Sequence, residues 1–98
     1  MPKTEKGGLS PHYRVFETKQ FLVDLSHLGP VAQKRLEGKL RNFVYPILRH
    51  NPHFGPNIRR LKNWEPPAWR YRVGNWRFCY EIEEKQAVVS VIAADHRK

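Results

Sequence analysis

The segment covering residues 69–82 constrains the fold of this chain more than any other. Two runs in which apolar and polar residues alternate, 69–73 and 76–82, are separated only by Gly74 and Asn75. This pair is typical of a two-residue β-hairpin loop, whose backbone needs a positive φ. The sequence therefore predicts an antiparallel hairpin at this point of the chain.

A two-residue loop fixes which residues of the hairpin lie opposite each other, and opposed residues share a face. Arg72 is then expected opposite Arg77, and Arg70 opposite Cys79. One face is apolar and should belong to the core: Trp69, Tyr71, Val73, Trp76, Phe78, Tyr80 and Ile82. The other, which we call the arginine face, carries Arg70, Arg72, Arg77, Cys79 and Glu81.

The opposed arginines indicate a function, because two like charges directly opposite each other lower the stability of a sheet, and folding alone would not favour them. Within this hairpin the only carboxylate on the arginine face is Glu81, against three arginines. A guanidinium can bind phosphate oxygens through two parallel hydrogen bonds, so the surplus predicts a phosphate-binding surface. The alternative is that arginines simply alternate outward on an exposed strand. Three cations just upstream are expected to widen the surface: Arg59, Arg60 and Lys62.

The residues before the hairpin predict short strands and two helices. Thr18 is a suitable N-cap for a first helix that ends at Gly29, and Pro30 suits the first turn of a second helix. Strands are predicted at residues 13–16 and 58–61, with a loop rich in turn formers at residues 50–57. Apolar residues at helical spacing support the helices: Phe21, Leu22, Leu25 and Leu28, then Val31, Leu36, Leu40, Phe43, Val44, Ile47 and Leu48.

The last apolar run, residues 87–94, is predicted to be a strand covered on both faces, because almost every position is apolar. If Glu84 and Lys85 form the turn before it, alternation brings four residues to the arginine face: Ser90, Ile92, Ala94 and His96. Without the short strand at residues 58–61, the order is β-α-α-β-β-β, that of an α+β fold. Two helices pack on one face of a small, mainly antiparallel sheet.

Length and charge limit the classes of function. The 98 residues, 40% of them hydrophobic, suit one domain at residues 13–98 behind a flexible leader at residues 1–12. Lysine and arginine outnumber acidic residues by 18 to 9, and the net charge of +9 favours RNA, DNA or an anionic membrane as partner. No run resembles a membrane span or a secretory signal, and the single Cys79 excludes an internal disulfide. A soluble protein of the reducing cytoplasm is therefore expected.

Several other side chains are weaker candidates for chemistry. His50 and His53 lie in a loop with no carboxylate or thiol nearby in sequence, so loop polarity explains them better than a metal site. Cys79 lies among cations that would lower its pKa, although a semi-buried thiol is the simpler interpretation. Trp64 stays open between packing and base stacking. No metal and no cofactor is predicted.

Two motifs follow one another from residue 61 onward. The hairpin reads Arg-x-Arg-Val-Gly-x-Trp-Arg-x-x-Tyr-Glu-Ile, and the last strand ends in His-Arg-Lys. In this order they resemble RelE-type toxins of bacterial toxin–antitoxin systems, in the RelE/ParE superfamily, and the resemblance covers residues 13–98. It implies a metal-independent endoribonuclease that cleaves mRNA in the A site of the 30S ribosomal subunit and is silenced by a cognate antitoxin.

The resemblance also implies roles for individual residues. In such enzymes the ribose 2′-hydroxyl attacks the neighbouring phosphate, so the protein must orient RNA, stabilise charge and move protons. Arg77 corresponds to the phosphate-stabilising arginine after the turn, and Arg97 to the basic residue that ends the last strand. Arg70 and Arg72 correspond to positions where some relatives have lysines, one of them a general base. An arginine keeps its proton at neutral pH and is therefore a poor base.

The proton shuttle must then be sought elsewhere. His96 is the first candidate, because imidazole titrates near neutral pH and alternation brings it to the arginine face. Glu81 is the second, with a counter-ion role beside Arg70 or Arg72 as the favoured alternative. The sequence stops at Lys98, where many relatives continue into a tail that assists at the site, and reduced activity is expected if that tail is absent.

Two other functions stay open. ParE-like relatives share the architecture and poison DNA gyrase without cutting RNA, and such a protein has little use for clustered arginines beside a titratable His96. A non-catalytic RNA- or ribosome-binding module would need only charge. It would keep its function when His96 is removed.

Overall fold

One strand, three α-helices and four further strands follow one another along residues 12–96, the part of the chain that this computed structural model describes. Most of the predicted leader, residues 1–11, and the last two residues, 97–98, lie outside the described residues. The elements are β1 (Arg14–Glu17), α1 (Lys19–Ser26), α2 (Pro30–Lys39), α3 (Tyr45–His50), β2 (Ile58–Arg60), β3 (Ala68–Val73), β4 (Trp76–Glu83) and β5 (Val88–His96).

The helices begin where the sequence predicts. The hydroxyl of Thr18 accepts a hydrogen bond from the amide of Phe21 at 3.3 Å, and Pro30 opens α2. A π-helical turn, Leu40–Val44, joins α2 to α3, so the predicted single second helix is two α-helical segments in series. Pro46 lies two residues after this turn and has no amide hydrogen for the helical ladder, which accounts for the local widening. None of the helices in residues 12–96 has the length and apolarity of a membrane span.

The strands form one five-stranded sheet in the order β1-β5-β4-β3-β2. Only β1 and β5 run parallel, and every other neighbouring pair is antiparallel, which confirms the predicted α+β fold. The hairpin has the predicted register, with Arg72 opposite Arg77 and Arg70 opposite Cys79. Its positive φ, 57°, falls on Gly74, which has no Cβ to clash in that conformation.

The core lies between the helices and one face of the sheet. Phe78 is buried against Phe21 of α1 in an edge-to-face arrangement, with ring centroids 6.1 Å apart. The hydroxyl of Tyr80 donates to the carbonyl of Pro52 at 2.7 Å and anchors the loop before β2. Trp69 and Trp76 are half-buried against the same cluster, as predicted for the core face. The arginine face is the other side of the sheet.

A β-bulge in β5 changes the predicted alternation of the last strand. Glu81 lies opposite Ser90, as predicted, but Cys79 lies opposite Ala93 and Tyr80 opposite Val91, which leaves Ile92 as an extra residue. Beyond the bulge every side chain is shifted to the other face. An almost uniformly apolar strand has no alternation to show such a shift, so the prediction failed at this point.

Candidate functional site

The arginine face gains a fourth arginine from β2. Arg59 lies opposite Arg70, and Arg72 lies opposite Arg77, so two like-charge pairs stand side by side on three neighbouring strands. Arg59 and Arg72 are exposed, whereas Arg70 and Arg77 are half-buried. Each pair costs stability unless an anion lies between its members. The arrangement therefore favours a phosphate-rich ligand across β2, β3 and β4.

Asp95 also lies on this face, and sequence reasoning missed it. The bulge places it opposite Arg77, and its Oδ2 accepts a hydrogen bond from Nη2 of Arg77 at 2.5 Å. The side chain of Asp95 is 64% exposed and that of Arg77 is 27% exposed. Together with Glu81 and Glu83 of β4, which share this face, three carboxylates accompany the four arginines of β2, β3 and β4, so a positive surplus remains.

Arg77 has one unsatisfied donor. Its Nε is buried and has no hydrogen-bond partner among the described residues. A buried donor without an acceptor costs about 1–3 kcal/mol, so this guanidinium gains free energy when an added oxygen or a side-chain movement satisfies it. Nη2 of Arg77 is thus hydrogen-bonded to Asp95, whereas Nε has no acceptor among the described residues. An oxygen of an incoming phosphate can supply that acceptor.

Glu81 does not act as a counter-ion in this structure. It lies opposite Ala68 on β3 and opposite Ser90 on β5. In residues 12–96 the ion pairs are Arg77 with Asp95 and His53 with Glu84, and neither includes Glu81. The predicted pairing of Glu81 with Arg70 or Arg72 is therefore absent from the described part of the chain.

His96 lies on the wrong face for the predicted role. It is opposite Trp76, and the centroids of the two rings are 4.7 Å apart. Ala94 is likewise opposite Phe78, on the core side. The predicted placement of both residues on the arginine face is wrong, because the bulge at Ile92 inverts the alternation after it. Arg97 lies outside the described residues, so its predicted place beside the phosphate stays a prediction.

The upstream cations divide between two surfaces. Arg59 joins the arginine face, but Arg60 lies opposite Trp69, and its guanidinium carbon is 5.7 Å from the centroid of the Trp69 ring. Arg60 therefore does not widen the arginine face as predicted. Lys62 follows β2, where it borders a shallow surface cavity together with the exposed Trp64.

The loop histidine His53 has a structural partner that is distant in sequence. Its Nε2 lies 2.6 Å from Oε2 of Glu84, and the hydroxyl of Tyr13 donates to Oε1 of the same carboxylate at 2.9 Å. The hydrogen bond with His53 is the main reason why the pKa of Glu84 falls below its usual value. No group of three or more His, Cys, Asp or Glu side chains in residues 12–96 is arranged to hold a metal ion.

Cys79 is less reactive than its charged neighbours suggest. Burial raises the pKa of the thiol, and this effect exceeds the opposing influence of Arg70 and Arg77. The predicted lowering by cations is therefore outweighed by desolvation.

We expect iodoacetamide at pH 7.5 to alkylate Cys79 several-fold more slowly in the folded protein than in the protein unfolded in urea. The raised pKa leaves less thiolate at that pH, and half-burial restricts access. The measurement is the pseudo-first-order rate of mass increase, with glutathione in the same urea concentration as control. A faster rate in the folded state would mean that Arg70 and Arg77 dominate after all.

Comparison with known proteins supports the fold and identifies the class of protein as a toxin of a type II toxin–antitoxin system. Residues 11–98 match the family described as the ParE toxin of the type II toxin–antitoxin system parDE. No curated protein matches the chain in sequence.

Solved structures share the fold at low sequence identity. The toxin–antitoxin complex RelBE2 from Mycobacterium tuberculosis is 23% identical, with a TM-score of 0.67 over 88% of this chain and 92% of that one. The archaeal RelE–RelB complex from Pyrococcus horikoshii is 23% identical, with a TM-score of 0.62 over 88% and 96%. The isolated RelE toxin from E. coli is 20% identical, with a TM-score of 0.61 over 88% and 85%. At these identities the likeness concerns the fold.

Proposed function

The chain belongs to the ParE toxin family of type II toxin–antitoxin systems, in the RelE/ParE superfamily, and from this premise we propose that it is a ribosome-dependent endoribonuclease that cleaves mRNA in the A site and stops translation. One observation carries the proposal, which is the double row of opposed arginines on the arginine face. Inhibition of gyrase does not by itself require opposed arginines that attract phosphate. RNA on the ribosome offers such phosphates in the cytoplasm, where we propose that the protein acts.

In the proposed reaction the arginines bind and stabilise the reacting phosphate. Arg72 and Arg77, opposed across the hairpin, hold the non-bridging oxygens and offset the charge that develops on them. Arg59 and Arg70, on the adjoining strand pair, hold the neighbouring phosphate of the strand. Arg97 is proposed to extend this row from the end of β5, and Lys62 to contact the RNA farther along.

The proposed partner that silences the protein is a cognate antitoxin with an acidic segment. The net charge of +9 supplies the attraction for such a segment. Exposed apolar side chains offer a second contact: Phe43 is 65% exposed and Ile47 is 42% exposed, and both border a groove that reaches Arg72. The structural relatives from M. tuberculosis and P. horikoshii are themselves complexes of a toxin with its antitoxin.

The proposal is tested by toe-printing of a defined mRNA in a translation extract to which the purified protein is added. We expect new 3′ ends in the A-site codon within minutes, and none on the same mRNA without ribosomes. Intact mRNA throughout would overturn the proposal.

A second candidate function is inhibition of DNA gyrase, which the match to the ParE toxin family favours. It is tested in parallel by DNA supercoiling with purified gyrase. Inhibited supercoiling together with uncleaved mRNA would establish this candidate in place of the first.

A further inference from the structure

We propose that Asp95 is the proton acceptor for the attacking 2′-hydroxyl, a role that rests on the proposed ribonuclease function. The reaction needs a base near the phosphate, and the four arginines of the arginine face cannot serve, because a guanidinium does not give up its proton in proteins. His96 is turned to the other face, against Trp76. The base must therefore be another side chain of the arginine face.

Among the described residues, four other groups on this face can accept a proton: Cys79, Glu81, Glu83 and Asp95. Glu83 lies at the end of β4 that is farthest from Arg77. Cys79 is disfavoured, since burial raises the pKa of its thiol and leaves less of the thiolate that would accept a proton. Glu81 lies at the opposite end of β4 from Arg77 and contacts none of the arginines through an ion pair in residues 12–96. Asp95 is the carboxylate that directly contacts Arg77, one of the arginines proposed to bind the phosphate.

The geometry of Asp95 suits proton transfer. Its Oδ2 is held by Nη2 of Arg77 at 2.5 Å, so the carboxylate is oriented beside the guanidinium that would grip the phosphate. Its Oδ1 makes no hydrogen bond to any residue of the described chain, and the side chain is 64% exposed. A ribose whose 3′-phosphate lies on Arg77 brings its 2′-hydroxyl within hydrogen-bond reach of such an oxygen, because attacking oxygen and phosphorus are only about 3–3.5 Å apart.

The proposed step is a transesterification at phosphorus. Oδ1 of Asp95 takes the proton of the 2′-hydroxyl while the 2′-oxygen forms a bond to phosphorus and the bond from phosphorus to the 5′-oxygen breaks. The leaving 5′-oxygen takes a proton from water, and Asp95 later returns its own proton to water. The products are a 2′,3′-cyclic phosphate and a 5′-hydroxyl, with no oxidation or reduction.

The competing role for Asp95 is a counter-ion that the phosphate must displace from Arg77. The two roles predict opposite effects of the neutral variant Asp95→Asn. A counter-ion opposes phosphate binding, so its removal strengthens RNA binding and speeds cleavage. A base is required for cleavage, so its removal slows the chemical step and leaves binding intact or stronger.

The experiment measures single-turnover cleavage of A-site mRNA on programmed ribosomes. Asp95→Asn is expected to be about 10²–10⁴-fold slower, the usual contribution of a general base. Binding to ribosomes whose A-site codon carries 2′-deoxyribose is expected to equal or exceed that of the wild type. Added formate should partly restore cleavage by Asp95→Gly, which a purely structural role would not allow. The charge-matched control is Glu83→Gln, an exposed carboxylate at the far end of β4.

Cleavage by the wild type with an undiminished rate in Asp95→Asn would overturn this inference and leave the ribonuclease proposal standing. A larger loss in Glu81→Gln than in Asp95→Asn, or no rescue by formate, would also overturn it. Failure of the wild type to cleave would overturn the proposed function, and the role of Asp95 with it.

Discussion

Replacing Arg77 by alanine is expected to slow cleavage of ribosome-bound mRNA by about 10²–10³-fold, the loss seen when one preorganised donor to a developing oxyanion is removed. Arg77 stands opposite Arg72 and is half-buried, so its charge is poorly screened by water. The measurement is the single-turnover rate of mRNA cleavage in the A site. Arg77→Lys keeps the positive charge but cannot form the bidentate hydrogen bonds of a guanidinium. Its cleavage rate should therefore lie between those of the wild type and Arg77→Ala.

The control for this prediction is Lys34→Ala, which removes the same charge from an exposed position on α2. Its effect should be limited to the weak, salt-dependent part of RNA binding. Arg77→Ala should also fold normally, because the ion pair that it loses is with the exposed Asp95 and the buried donor that it removes has no acceptor in the described chain. Equal loss in both variants would mean that only total charge matters.

Replacing Phe78 by alanine is expected to lower the free energy of unfolding by about 3–5 kcal/mol, a large part of the stability of a small domain. Phe78 is 1% exposed and packs edge-to-face on Phe21, with the ring of Trp76 stacked at 6.4 Å. Its removal leaves a cavity that the helices on one side and the sheet on the other cannot close. Urea unfolding followed by tryptophan fluorescence measures the change.

The matched variant is Phe54→Ala, which deletes the same side chain from a loop position that is 78% exposed. Its free energy of unfolding should stay within about 0.5 kcal/mol of the wild type. A comparable loss in both variants would show that the ring of Phe54 is buried in solution, contrary to the structure.

The hairpin could be predicted from the sequence because two local signals agree. The pair Gly74-Asn75 leaves no freedom of register, and aromatic residues alternate with arginines on both strands. The opposed arginines Arg72 and Arg77 follow directly from these signals. The helices were likewise readable from their caps and their apolar spacing, apart from the π-helical turn before Pro46.

The rest of the site depends on long-range pairing that the sequence does not encode locally. Seven residues separate β2 from β3, so the chain gives no register by which Arg59 could be matched with Arg70, or Arg60 with Trp69. In β5 the apolar run conceals the bulge at Ile92, which exchanges the faces of Asp95 and His96. One unpaired residue therefore decides whether an imidazole or a carboxylate faces the arginines.

The order of the strands also constrains when the arginine face can be completed during folding. β5 is hydrogen-bonded to β1 on one side and to β4 on the other, yet it follows every other described strand in the chain. While the chain is still being synthesised, β1 has no strand to pair with, and Asp95 has not joined Arg77. Pairings between such distant segments form slowly and late. The contact between Asp95 and Arg77 is therefore expected to be among the last parts of the arginine face to form.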